Sequence, residues 1–380
     1  MGGAPENNCA LFWRVGFPAA DPTAWIELES DDPNVPNRTL FILRDIEYDR
    51  ARAAVPFDQV ACPADFAPES GLSGDRETAT AQSLAECLRR AGVKEAVADR
   101  SLPLVYADMV RKAGIALECD LDYAVIDRRT KTEKEIEAVR ASQASTEIAI
   151  ERACHTIATA KAGADGVLLL DGETLTAERI RTMIDVWLLE MGYHNRPSIV
   201  APGKCGGDCH ELGSGPIRTS EPVIVDVFPI SNTTRFAGDS TRTVVHGDIP
   251  DEIARMHKAV RAAKAAGEAV CKAGATGETV HRATQSAIVS HGFELGLPPD
   301  DAPDTFCTMP HGTGHGVGLE VHEPPLLDIG GPVLLAGECV TIEPGLYSKA
   351  LGGVRVEDIV VVRENGCESL NKLQEELKWD

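Results

Sequence analysis

Residues 222–245 read PVIVDVFPISNTTRFAGDSTRTVV. Two β-branched runs flank a polar centre, and each side holds one Asp: Asp226 in VIVD and Asp239 in GDSTRT. Runs rich in Val, Ile and Thr around a short polar segment read as an antiparallel hairpin. With Asn232-Thr233 as a two-residue turn, positions equidistant from it pair, and Asp226 faces Asp239 directly on one side of the sheet. Like charges so opposed destabilise a ladder unless something positive sits between them.

Three further residues extend this pattern. His315 lies in HGTGHGVGLEVH, residues 311–322; Glu343 ends the strand-like run of VTIEPG; Glu357 sits in VRVEDI. Each alone reads as a turn residue, a loop imidazole or a cross-strand ion pair. Together they place four carboxylates and one imidazole mostly on segments built of Val and Ile, which is costly without a neutralising charge. A pair of divalent cations supplies it, with carboxylates bridging and imidazole as a neutral ligand. Arg355 and Glu357, two apart on one expected strand, share a face and point into one site.

The surrounding chain divides into two regions. Up to residue 128, short apolar strands alternate with helical stretches: strands at 40–43, 93–98 and 115–117, helices at 79–90 and 105–113. Such alternation predicts a small α/β domain. Thr132 and Glu135 form a capping box opening a helix to about residue 160, and the boundary falls just before it, giving domains 1–128 and 129–380. Ile180, Met183, Ile184, Trp187, Leu188 and Met191 recur at helical spacing in 176–191. Helices are also expected from Pro250 to about 273 and over 278–291, with strands at 223–228, 235–245, 339–343 and 354–362. The second region is therefore α+β.

Composition sets outer limits. The 380 residues carry a formal net charge of −22, with 37 Lys+Arg against 59 Asp+Glu. That balance argues against nucleic acid, whose binding needs a basic face, and against an anionic membrane surface. No apolar run has the length of a membrane span, and the first residues, MGGAPENNCALFW, carry neither a secretory signal pattern nor Ser or Thr at position 6 for myristoylation. Eleven scattered cysteines suit free thiols and a cytoplasmic location. His194, His246, His257, His281 and His291 read as mostly surface residues. Cys205-x-x-x-Cys209-His210 lacks the spacing of a haem or self-sufficient zinc motif.

Taken jointly, the motifs resemble the family of methionine aminopeptidase, prolidase, aminopeptidase P and creatinase, the pita-bread hydrolases, over about residues 130–365. The preceding α/β domain is similar to the creatinase-type N-terminal domain. HGTGHGVGLEVHE and TIEPGLY resemble the Xaa-Pro branch in particular. The resemblance implies two divalent ions, Mn first and Co, Zn or Fe as alternatives, held by Asp226, Asp239, His315, Glu343 and Glu357. It implies that a water activated between the ions attacks the scissile carbonyl, that Glu343 shuttles the proton and that His322 stabilises the oxyanion. His210, in CHELGSG, takes the place of an upstream active-site His, and His311 and Arg355 contact substrate. The implied substrate is a small peptide with proline second, either a dipeptide or a peptide N-terminus, and the implied assembly is a homodimer.

One departure from the family pattern stands out: the segment between the two Asp residues is two residues longer than usual. Under the hairpin reading each arm gains one residue and the pair stays opposed. Two alternatives keep the fold. A creatinase-like amidinohydrolase dispenses with the ligands, and the metal-dependent lyases carry Asp-x-Asp, whereas Phe228 stands two after Asp226 here. A peptidase-like binding module usually loses ligands, and all five are present.

Overall fold

The computed structural model describes residues 1–30 and 32–379. The chain forms two compact units, Met1–Arg128 and Arg129–Asp380.

In the first unit, strands Gly2–Gly3, Thr23–Leu28, Arg38–Ile42 and Gln59–Ala61 form one sheet in that order. Strands Glu95–Asp99 and Ala116–Asp120 pair in parallel as a second. Helices α1 (Cys9–Val15), α2 (Tyr48–Ala54), α3 (Arg76–Arg90) and α4 (Leu104–Lys112) complete it. The Asp75 side chain accepts from Thr78 N–H, capping α3, which packs Ala81, Leu84, Ala85 and Leu88 against Ile26, Leu40 and Ile42. Each large aliphatic side chain so buried contributes about 1.5–3 kcal/mol. The Thr23–Leu28 strand was not anticipated: in TAWIEL the first four residues are all buried, so no alternation marks it.

The second unit opens with α5 (Glu133–Thr159), whose capping box is formed as expected: Thr132 N–H donates to Glu135 Oε2 at 2.8 Å and Glu135 N–H to Thr132 Oγ1 at 3.3 Å. Helices α6 (Ala177–Glu190), α7 (Asp251–Val270) and α8 (Gly277–Ser290) follow. A three-stranded antiparallel sheet runs Ile199–Pro202, Pro222–Val227, Ser240–Val245. Its residues Val200, Val223, Val225 and Val244 pack on Ile150, Cys154 and Ile157 of α5. A four-stranded sheet contains Gly345–Ser348 and Gly352–Arg355, and a five-stranded sheet contains Gly314–Gly316, Glu323–Leu327, Cys339–Ile342 and Asp358–Arg363.

Three sequence expectations are corrected. The hairpin register differs by two residues: Asp226 pairs with Thr241 and Val227 with Ser240, so Asp226 and Asp239 are diagonal, not opposed. The loop has four residues, 232–235, with Arg235 at φ 65° and its N–H bonded to Ser231 O at 2.9 Å. A two-residue turn would put Thr233 at positive φ, which a β-branched residue resists. The second strand accordingly starts at Ser240, not at 235.

The expected strand 354–362 is two strands. Gly352–Arg355 belongs to the four-stranded sheet and Asp358–Arg363 to the five-stranded one, with Glu357 in the crossing. Continuous burial hides this switch, because every residue from Gly352 to Val362 is buried and no exposed position marks the crossing. Finally, His257 and His281 are core residues, bonded to Glu375 O at 2.6 Å and Thr313 Oγ1 at 2.9 Å.

Candidate metal centre and active site

The site lies where these three sheets of the second unit, which has others besides, meet. Asp226 comes from the central strand of the first sheet, and Asp239 sits one residue before its neighbour. His315 comes from the short Gly314–Gly316 strand, Glu343 directly follows Cys339–Ile342, and Glu357 lies between the two strands of the switch. Thr241 forms a single β-bridge with Glu357, and Arg355 N–H donates to Thr243 Oγ1 at 3.0 Å. These bonds fasten the sheet of the two Asp residues to the switch segment.

Glycine makes the close approach possible. A Cβ on Gly314 would stand 2.0 Å from Thr341 O, and one on Gly238 would stand 2.3 Å from Thr146 Oγ1. A larger residue at either place would displace a neighbour of His315 or Asp239.

Asp239, His315 and Glu357 bring ligand atoms within 4.8 Å of one another, all three side chains buried. His315 Nε2 lies 3.3 Å from Glu343 Oε1 and 3.7 Å from Asp239 Oδ2. Its Nδ1 bonds Gly316 O at 3.1 Å, which turns Nε2 toward the carboxylates. Asp226 gives Oδ2 to Arg355, and its buried Oδ1 has no hydrogen-bond partner. An orphaned carboxylate oxygen beside this donor set is what a cation site supplies.

All five residues line a cavity of about 520 Å³, together with His210, His311, His322 and Arg355. His210 and His322 are solvent-exposed, and the His322 ring stands 4.2 Å from that of His315. His311 has both nitrogens engaged: Nδ1 donates to Gly312 O at 2.7 Å and Nε2 accepts from Tyr347 Oη at 2.8 Å. Arg355 is equally committed, donating to Thr241 Oγ1, Cys209 O, Tyr347 Oη and Asp226 Oδ2.

Against known proteins, residues 136–364 match the model of metallopeptidase family M24. The chain belongs to metallopeptidase family M24. Among curated relatives it is 37% identical over 143 residues to the uncharacterized peptidase YqhT of Bacillus subtilis, covering 37% of each protein. It is 32% identical over 196 residues to an Xaa-Pro dipeptidase of Pyrococcus furiosus, covering 50% of this chain and 52% of that one. The matched stretches thus span about half or less of these two relatives. A solved Xaa-Pro dipeptidase from Bacillus anthracis superposes with a TM-score of 0.79 at 21% identity, over 98% of this chain and 93% of that one. The fold of this M24 chain is therefore the pita-bread fold behind a creatinase-type unit.

The electrostatics of the M24 site follow from crowding. Burial, then the charges of Glu357, Asp226 and Glu343, push the Asp239 carboxyl well above its ordinary range. Burial, then Glu343 and Asp226, do the same to Glu357. Burial raises Asp226 against the pull of Arg355. For Glu343, burial is outweighed by the hydrogen bond and charge of His315, which hold its carboxyl down to about 2. Burial and mutual repulsion favour protons on Asp226, Asp239 and Glu357 unless cations replace them. The M24 residues therefore fit divalent ions.

Residues that sequence reasoning missed bind this set together. Thr241 Oγ1 accepts from Arg355 Nε at 3.1 Å and donates to Glu357 Oε2 at 2.7 Å. Its signal was present: it lies two after Asp239 and shares that residue's face. Tyr347, quoted above in TIEPGLY, links Arg355 to His311 through its hydroxyl. Glu323, next to His322, lines the cavity and pairs with buried Lys131.

Proposed function

We propose that this chain is a metal-dependent peptidase that hydrolyses Xaa-Pro bonds. The observation that carries the reading is the convergence of Asp239, His315 and Glu357 within 4.8 Å beside the orphaned Asp226 oxygen. Family membership and the Xaa-Pro dipeptidases among its relatives support it. Asp226, Asp239, His315, Glu343 and Glu357 would hold two divalent ions. When bound, these ions supply Lewis-acid polarisation of a carbonyl and a water ionised near neutral pH.

The chain's own groups then divide the work. Glu343 is ionised at neutral pH, with Oε1 engaged by His315 and Thr341, and its carboxylate would take a proton and pass it to the leaving amine. Partial desolvation on the cavity wall, then the neighbouring His315, lower the pKa of His322, which favours the neutral form as an N–H donor for a developing oxyanion. His210, exposed on the cavity wall, positions the substrate. His311 and Arg355 act on the substrate through the wall they brace: Arg355 orients Asp226, and Tyr347 orients His311. Mn²⁺ is the first ion to test. Residues 129–380 are read as the catalytic domain and 1–128 as a creatinase-type domain; a homodimer and a cytoplasmic location rest on the resemblance and on composition alone.

The test compares Xaa-Pro dipeptides with Xaa-Pro-Yaa tripeptides under Mn²⁺ and under chelator. Cleavage of either class before proline, abolished by chelation, is the expected result. No cleavage of either class by protein saturated with Mn, Co, Zn or Fe ions would exclude the reading.

A further inference from the structure

The eleven cysteines are all free thiols, and the reaction uses none of them. One pair stands apart from the site. Cys271 caps the C-terminus of α7 and is fully buried, while Cys367 lies on the final strand, Gly366–Ser369, and is partly exposed. Both converge on one carbonyl: Glu268 O accepts from Cys271 N–H at 3.2 Å and from Cys367 Sγ at 3.5 Å. The two side chains pack in one cluster with Val270, Val340 and Val362, the Cys367 side chain beside that of Cys271. Cys367 also borders a surface cavity with Ala336, Arg363, Glu364, Asn365 and Gly366, so a small solute reaches it while Cys271 stays behind.

We propose that Cys271 and Cys367 form a dithiol site for peroxide oxidants, which converts to an intramolecular disulfide joining α7 to the last hairpin. Cys367 is the attacking thiol. The Cys271 thiol beside it holds it below its ordinary pKa against burial, and the same contact holds Cys271 protonated. The Cys367 thiolate attacks one peroxide oxygen; the S–O bond forms, the O–O bond breaks and hydroxide leaves, giving a sulfenic acid. Cys271 then gives its proton to hydroxide and attacks the Cys367 sulfur; the S–S bond forms and the S–O bond breaks. Two thiols lose two electrons to one peroxide, and two waters result. The cross-link closes a loop of nearly a hundred residues, which restricts the unfolded chain and raises thermal stability.

The test treats the full-length protein with hydrogen peroxide at a few equivalents and maps peptides without reduction. The expected result is a linked peptide pair containing Cys271 and Cys367, nine titratable thiols remaining of eleven, and a Tm higher by about 5 °C or more that dithiothreitol reverses. Cys367→Ser should keep Cys271 reduced under the same treatment, and Cys271→Ala should leave Cys367 over-oxidised. The inference is overturned if peroxide consumes other thiols first, or if Cys367 is oxidised without joining Cys271 in the wild-type chain.

Discussion

Arg355 donates from Nη2 to Asp226 Oδ2 at 2.6 Å, with both side chains buried. The bond holds one carboxylate oxygen and leaves the other, Oδ1, buried without a hydrogen-bond partner beside the proposed ion site. Arg355 acts through Asp226 and so is a positioning residue. Arg355→Lys keeps the charge and loses the fork that also reaches Thr241, Cys209 and Tyr347. Metal affinity should fall about 10–100-fold, as for other groups that orient a ligand. Titration of the metal-free protein with Mn²⁺ checks this; unchanged affinity would remove the positioning role.

Thr241 is the second support. Thr241→Val keeps the shape and removes the hydroxyl between Arg355 and Glu357, leaving a buried carboxylate oxygen without its donor. We expect a stability loss of about 1–3 kcal/mol and weakened metal binding, with Thr241→Ser recovering both. Urea unfolding and the same Mn²⁺ titration read the two effects.

A buried ionic cluster stands behind Glu357. Arg242, fully buried, donates to Asp358 Oδ1 at 2.8 Å and to Glu357 O at 2.8 Å, and Lys264 pairs with Asp358 and Glu375. Arg242→Ala leaves Asp358 half-paired inside the protein. It should cost about 3–5 kcal/mol, read as a lower urea midpoint at unchanged slope.

Stability should also respond to pH through His257. Burial lowers its pKa below the ordinary value, against the pull of the Glu375 carbonyl. The folded protein therefore binds this proton less readily than the unfolded chain, and protonation favours unfolding. The contribution is complete above the unfolded pKa near 6.5 and declines as pH falls below it, by at most about 1.4 kcal/mol per pH unit. His257→Gln should flatten the wild-type stability profile between about pH 7 and 5; an unaltered slope would refute the assignment.

How far the sequence reaches is clear from individual elements. The capping box at Thr132 and the apolar stripe of 176–191 are local signals, and both helices formed where those signals lie. The five acid and imidazole positions were legible because they recur jointly, mostly on segments built of Val and Ile, and the structure brings them to one cavity. Register was not legible to the residue: the positive φ that sets the loop falls on Arg235, a type that rarely advertises it. The sheet switch at Glu357 was hidden because Val354, Val356 and Ile359 are buried on both sides of it and the charged residues between them, Arg355, Glu357 and Asp358, are buried too, so no exposed gap marks the crossing. Thr241 gains its role from Glu357, 116 residues away, and Tyr347 from His311, 36 residues away, which single-chain periodicity does not encode.

The central claim is that Asp226, Asp239, His315, Glu343 and Glu357 together hold divalent cations. The direct measurement is bound Mn²⁺ per chain after equilibrium dialysis, for the wild type and Asp239→Asn side by side. The account predicts two ions in the wild type and a loss of at least one in the variant, with both proteins folded by circular dichroism. A wild type that binds none, or a folded Asp239→Asn that still binds two, would contradict it.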